Sequence, residues 1–166
     1  MKIPAKVTNY LAKHNIKYDV VEHKTVYTAY DLAQTLKRKL SEVVKTLVVK
    51  VDKGHALVVL PASHQVDFKA LKKALGAKLV DIDKENVMTK LFKIKPGAVS
   101  PFHGPLHKLP VYVDKAIPKL QKVVVQAGSF ENSLHLKTKD LLKVLEGKLA
   151  KFAVAKKLPK ISKGKK

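Results

Sequence analysis

The stretch Val43-Val44-Lys45-Thr46-Leu47-Val48-Val49-Lys50-Val51 decides how this chain is read. Its β-branched and aliphatic residues predict an interior strand. Side chains of a strand alternate between faces, so Lys45, Leu47, Val49 and Val51 share one face and Val44, Thr46, Val48 and Lys50 share the other. Lys45 thus stands on the more apolar face, where an ammonium group must find a partner, lose its charge or open into a pocket. Asp52-Lys53-Gly54-His55 follows as a turn signal, and Ala56 to Pro61 is a second apolar run. Lys45 to Val51 and Ala56 to Pro61 therefore pair as an antiparallel hairpin.

Working outward, Pro4 with Val7, Tyr10 and Leu11 predicts a short amphipathic helix ending near Asn15, and Ile16 to Glu22 alternates as a strand with His23 at its end. Thr28 is the expected N-cap of a helix through about Lys39, with Ala29, Leu32, Ala33 and Leu36 on its apolar side. Beyond the hairpin, Asp67 caps a helix that Gly76 stops, Lys78 to Asp81 reads as a strand, and Asp83 as the cap of a helix to about Lys90. The run Pro96-Gly97-Ala98-Val99-Ser100-Pro101-Phe102-His103-Gly104-Pro105 is too rich in proline and glycine for an element interior and predicts a shaped loop. Strands are expected at Pro110 to Asp114, Lys122 to Ala127 and Ser133 to Lys137, then a last helix from Thr138 to about Leu149. Residues 1–150 make one domain, and 151–166 read as a basic, poorly ordered tail.

The chain of 166 residues carries 34 Lys plus Arg against 13 Asp plus Glu, a net charge of +21 that suits a polyanion such as nucleic acid or an anionic membrane surface. Arg38 is the sole arginine, which favours diffuse phosphate attraction over bidentate base readout. Cysteine is absent, which excludes disulfides and thiolate metal sites. No apolar run approaches the roughly 18 to 20 residues of a bilayer span, and the N-terminus lacks a signal peptide's apolar stretch, so a soluble, cytoplasmic protein is expected. His103 and His107 have a helical spacing, but Gly104 and Pro105 between them argue against a helix and no carboxylate completes a metal set, so no metal is expected. No nucleophile elbow, Walker loop or dinucleotide fingerprint occurs. Lys45 with the Gly97–Pro101 loop remains, because loop amides that point inward can hold a carbonyl or oxyanion beside an ammonium group.

In order, Glu22-His23, Val44-Lys45-Thr46-Leu47-Val48, Leu60-Pro61-Ala62, Leu71 to Lys78, Gly97-Ala98-Val99-Ser100-Pro101-Phe102, Leu109-Pro110-Val111-Tyr112-Val113-Asp114 and Ala127-Gly128 resemble the YbaK/EbsC family. That family includes free-standing relatives of the editing domain of bacterial prolyl-tRNA synthetases, and the resemblance runs from about residue 5 to residue 150. It implies a mixed α/β fold around a curved, largely antiparallel sheet with flanking helices, and hydrolysis, without metal or other cofactor, of the ester joining a wrong amino acid to tRNA. Its implied catalytic positions are Lys45, Gly97 and Pro101, and its implied substrate contacts His23, Ser100, Phe102, Asp114, Gln126 and Gly128. In this reading Lys45 supplies binding and charge stabilisation rather than a Schiff base, and no general base on the protein is required.

The implied partner is mischarged tRNA, with a synthetase as a further candidate, and Lys156, Lys157 and Lys160 of the tail would meet the tRNA backbone. Val21 and Gln126 depart from the cysteine-specific branch, and Ser129-Phe130 after Gly128 from the alanine-specific one. The segment Gln126 to Thr138 is closer to the YeaK-type branch, associated with seryl and related tRNAs. A non-catalytic tRNA-binding or synthetase-associated module is the alternative.

Overall fold

A computed structural model describes residues 3–92 and 99–155. The hairpin forms as expected: β2 (Val43–Val51) and β3 (Gly54–Pro61) pair antiparallel from Val44↔Pro61 to Val51↔Gly54 around a turn at Asp52-Lys53. Asp52 takes the left-handed conformation (φ 49°) that such a turn needs. Its carboxylate accepts the amides of Lys78 and Leu79 at 3.1 and 2.9 Å, which guides the chain into β5 (Val80–Ile82).

The principal sheet has eight strands. Besides those three, it contains β1 (Tyr18–Glu22), β6 (Val111–Asp114), β7 (Lys122–Gln126), β8 (Asn132–Lys137) and β9 (Lys148–Ala150). Its main path runs β1-β8-β7-β2-β3-β6-β9, with β5 also on β2. The β2–β7, β3–β6 and β6–β9 pairs are parallel and the rest antiparallel. A separate two-stranded ribbon joins β4 (His64–Val66) to β10 (Ala153–Ala155).

Both faces of the hairpin are covered. Val44, Val48, Leu57 and Val59 point into the main core with Val7 and Leu11 of α1 (Ala5–Lys13) and Leu141, Val144 and Leu145 of α6 (Thr138–Leu145). On the opposite face, α2 (Ala29–Leu36) packs Leu32 and Ala33 over Val43 and Val124. Leu71 of α3 (Phe68–Leu75) and Phe152 cover Val49, Val58 and Leu60. The side-chain alternation read from sequence is therefore right, while the contrast between a more and a less apolar face is not.

Local signals account for most boundaries. The Thr28 hydroxyl accepts the Asp31 amide at 3.0 Å, and α2 stops at Lys37 (φ 55°), two residues short of the expected end. Asp67 caps α3 through the amides of Lys69 and Ala70, and Gly76 (φ 64°) ends it. Asp83 does not cap α4 (Glu85–Phe92); its carboxylate meets His55 Nδ1 at 2.6 Å, tying β5 to the hairpin. His103–Leu106 forms the short helix α5 although Gly104 and Pro105 lie within it, since proline is tolerated in a first turn.

The expected boundary at residue 150 also moves. Helix α6 ends at Leu145, β9 follows, and the chain continues through Phe152, which is 1% exposed, into β10. Residues 151–155 are thus part of the folded unit, and the tail lysines Lys156, Lys157 and Lys160 lie outside the described residues.

Candidate active site

Among the described residues, one edge of β2 is paired at its two ends and not between them. Val43 and Val44 pair with β7, and Val49 to Val51 pair with β5, leaving residues 45–48 between the two ladders. Ala62 donates its amide to the Val43 carbonyl at 2.8 Å, which fixes the phase of the hairpin ladder. Odd-numbered residues of β2 bond to β3, so the backbone groups of Val44, Thr46 and Val48 point to the other edge. Val48 O accepts the Asp83 amide at 2.9 Å, whereas Thr46 turns its N–H and C=O into the gap that neither ladder reaches.

A cavity of about 210 Å³ opens on this gap. Lys45, Thr46, Leu47 and Val48 form one side, Tyr27, Thr28 and Ala29 at the start of α2 another, and Ile82, Val99 and Gln126 complete it. Among the described lining residues Lys45 is the one charged group, and none of them is a carboxylate or an imidazole. The Lys45 ammonium donates to the His64 carbonyl at 2.8 Å. Pairing of β4 with β10 holds that carbonyl in place through Ala155↔His64. The partner demanded by a lysine on this face is therefore a backbone oxygen on the ribbon, with the half-buried stem packed along the sheet.

The turn after β7 forms the cavity's neighbour. Gln126 is 8% exposed at the strand's end, and Gly128 follows with φ 91°. A Cβ on Gly128 would stand 3.0 Å from both Cγ and Cδ of Pro4, so glycine is required by conformation and by space. Gly128→Ala is expected to destabilise the fold by about 1–3 kcal/mol, seen as a lower denaturant midpoint at unchanged m. The buried Ser129 hydroxyl accepts the amides of Glu131 and Asn132, each at 3.1 Å. His23 closes the turn from β1: its amide donates to Glu131 O, Nδ1 lies 2.8 Å from Lys24 O and Nε2 2.9 Å from Ser133 Oγ. Tyr27, 60% exposed at the cavity's mouth, stacks edge-on against Phe130 with ring centroids 4.8 Å apart.

The expected site residues divide. Lys45 and Gln126 meet at the cavity, while Gly97 lies outside the described residues. Pro101 leads into α5 and accepts the Gly104 amide through its carbonyl at 3.2 Å. Ser100, fully buried, uses its hydroxyl to accept the Phe102 amide at 3.2 Å. Phe102 is buried in the main core and is an anchor of the loop rather than a wall of the cavity. Asp114 is spent on structure, one oxygen accepting the amides of Phe152 and Ala153 and the other that of Ala116, all at 2.9 Å. His23 and Gly128 shape the turn and do not line the cavity. Tyr27, Thr46, Ile82 and Val99 are among the lining residues that sequence reasoning missed; Thr46 becomes visible only once the ladder phase is known.

His103 holds the Ser100 segment through the amide of Ser100, which donates to its Nδ1 at 3.0 Å. Burial is the main force lowering the His103 pKa from 6.5 to about 4; the Ser100 carbonyl, 3.2 Å from Nδ1, opposes it, and the positive charges of His107 and Lys6 add to it. A neutral ring can accept that bond and a protonated one cannot. Because the folded value lies below the unfolded one, this contribution is complete above pH 6.5 and is lost as pH falls from 6.5 to about 4. Acid titration of folding stability should show a loss on the order of 3 kcal/mol across that window, flattened in His103→Gln.

Residues 23–144, well over half of the chain, match the family model of the aminoacyl-tRNA editing domain. The chain belongs to that family. The proline–tRNA ligase of Staphylococcus saprophyticus is 29% identical over 116 residues, covering 70% of this chain and 20% of the ligase. That of Staphylococcus aureus strain Newman is 28% identical with the same coverage, so the chain spans about a fifth of these relatives' length. A solved structure described as a candidate trans-editing enzyme for prolyl tRNA synthetase superposes with a TM-score of 0.77 at 22% identity, covering 90% of this chain and 96% of that one. A second, described only as a hypothetical protein, gives 0.82 at 22% identity, with 90% and 99% covered. These two likenesses bear out the fold expected from sequence. Among the described residues, no helix is long and apolar enough to cross a membrane.

Proposed function

We propose that this editing domain acts in trans as a deacylase, hydrolysing the ester of tRNA mischarged with a small amino acid such as Ser, Thr, Ala or Cys. The observation that carries it is the cavity on the stretch of β2 between its β7 and β5 ladders, with Lys45 and the backbone of Thr46 beside each other. At about 210 Å³ it is smaller than the roughly 300–1,000 Å³ of pockets for drug-sized ligands, which suits a small aminoacyl group.

Attack of water on the ester carbonyl forms a new C–O bond and places negative charge on the carbonyl oxygen. The Lys45 ammonium and the Thr46 N–H are positioned to stabilise that charge. Collapse breaks the bond to the ribose oxygen, which takes up a proton and leaves as the free hydroxyl of tRNA. The described lining residues include no carboxylate or imidazole, and in this reading water is oriented by backbone groups and by the substrate itself. Gly97 and Pro101 would contribute through the loop backbone, and Gln126 as a side-chain contact from the end of β7. Tail residues Lys156, Lys157 and Lys160 would add attraction for the tRNA backbone.

A panel of tRNAs charged with Ser, Thr, Ala, Cys, Leu and Phe tests the assignment. Turnover confined to the small amino acids is expected; equal rates for Leu and Phe would contradict it. The same lack of an acid or base among the described lining residues favours the second reading, a module that binds tRNA without hydrolysing it.

A further inference from the structure

A second and larger cavity, about 500 Å³, lies at the other end of α2. Arg38, Glu42, Lys119, Gln121, Lys122 and His135 supply its polar lining. Three permanent cations thus face one carboxylate. Arg38 is the chain's sole arginine. Its amide bonds to Ala33 O at 2.9 Å and fixes the backbone, yet its guanidinium makes no hydrogen bond or ion pair among the described residues. Lys119 and Lys122 are likewise exposed and unengaged there. His135 lies half-buried on β8 beside Val124, its ring nitrogens also without a hydrogen bond. Burial first, and then the charges of Arg38 and Lys122, disfavour its protonated form against the opposing pull of Asp19 and Glu42. The field in this cavity is therefore positive, and the imidazole enters it as a neutral donor.

We propose that this groove is a phosphate-binding site for the sugar–phosphate backbone of an RNA strand whose end lies in the Lys45 cavity. The Arg38 fork takes two non-bridging oxygens of one phosphate, Lys119 and Lys122 neutralise the strand, and the His135 N–H gives a directional bond. The placement follows from α2, whose first residues line the Lys45 cavity and beyond whose last turn Arg38 stands. Eight helical residues span about 12 Å, which puts the groove a short strand length from the ester rather than beside it. RNA is favoured over a free anion because the groove is open and lined by long exposed cations rather than by a closed ring of donors.

The choice of tRNA rests on the deacylase reading, so binding and hydrolysis are measured separately on the full chain. The Arg38→Gln/Lys122→Gln double variant is compared with Lys69→Gln/Lys73→Gln, which removes equal charge from exposed positions on α3. For uncharged tRNA, the first pair should weaken affinity at least 10-fold and reduce the slope of log K against log salt by about 1.4–1.8, since each phosphate contact contributes about 0.7–0.9. The α3 pair should change the slope by less than half as much. For a mischarged tRNA that the wild type hydrolyses, KM should rise with kcat retained. Equal effects of the two pairs would overturn the proposal, as would loss of inorganic phosphate binding with tRNA affinity intact. A wild type that never hydrolyses the ester, but shows the expected difference in slopes, would remove the deacylase reading and leave the groove standing.

Discussion

Lys45→Ala is expected to lower the rate of ester hydrolysis by about 10²–10³-fold, the usual cost of removing one group that stabilises a developing oxyanion. The loss should fall on kcat, because the charge that Lys45 meets is largest in the transition state. Lys45 also donates to the His64 carbonyl, so part of the effect of truncation would be structural. Lys45→Met separates the two, since it keeps an apolar stem of similar length on the sheet and removes the charge. Single-turnover rates of both variants, with circular dichroism as the check on folding, should agree within a few-fold. Hydrolysis retained by Lys45→Met would remove the charge of Lys45 from the mechanism.

Phe152→Ala is expected to cost about 3–5 kcal/mol, the range for removing a buried aromatic side chain. Phe152 is 1% exposed and packs in the cluster with Val49, Val58, Leu60 and Leu71. Its amide and that of Ala153 are held by Asp114, and the next residues pair with the strand that carries the His64 carbonyl. Ending the chain at residue 150 should therefore lower stability further and disturb the partner of Lys45, rather than merely removing a basic tail. Denaturant unfolding of Phe152→Ala checks the first part. A midpoint within experimental error of the wild type would show that the C-terminal segment is not part of the cooperative unit.

The sequence was most readable where a local signal and an alternating pattern agreed. Asp52-Lys53-Gly54 set the hairpin turn, and the alternation from Val43 to Pro61 set its side chains; Thr28, Asp67 and Gly76 marked helix ends through bonds within a few residues. The three-residue strands β4, β9 and β10 escaped, unlike β5, because they are too short to show alternation and exist through pairing with distant partners. Polar residues were the least readable. Asp114 and Asp83 resemble candidate ligands or caps in sequence, but their partners are backbone amides at Ala116, Phe152 and Ala153 and the imidazole of His55. Lys45 was identified by its face alone, whereas its partner His64 lies 19 positions away. The gap at Thr46 depends on where two other strands stop pairing with β2, which no local pattern encodes.

We propose that a cavity whose described lining residues include no acid or base catalyses ester hydrolysis through one ammonium and a backbone edge. The most direct test is the first-order loss of the aminoacyl group from seryl-tRNA, and from threonyl-, alanyl- and cysteinyl-tRNA in parallel, with the wild-type chain in excess and without it. Acceleration of at least about 10²-fold over the spontaneous rate for one or more of these esters is expected. Saturable binding of the same tRNAs with no acceleration for any of them would contradict the account and leave a binding module in its place.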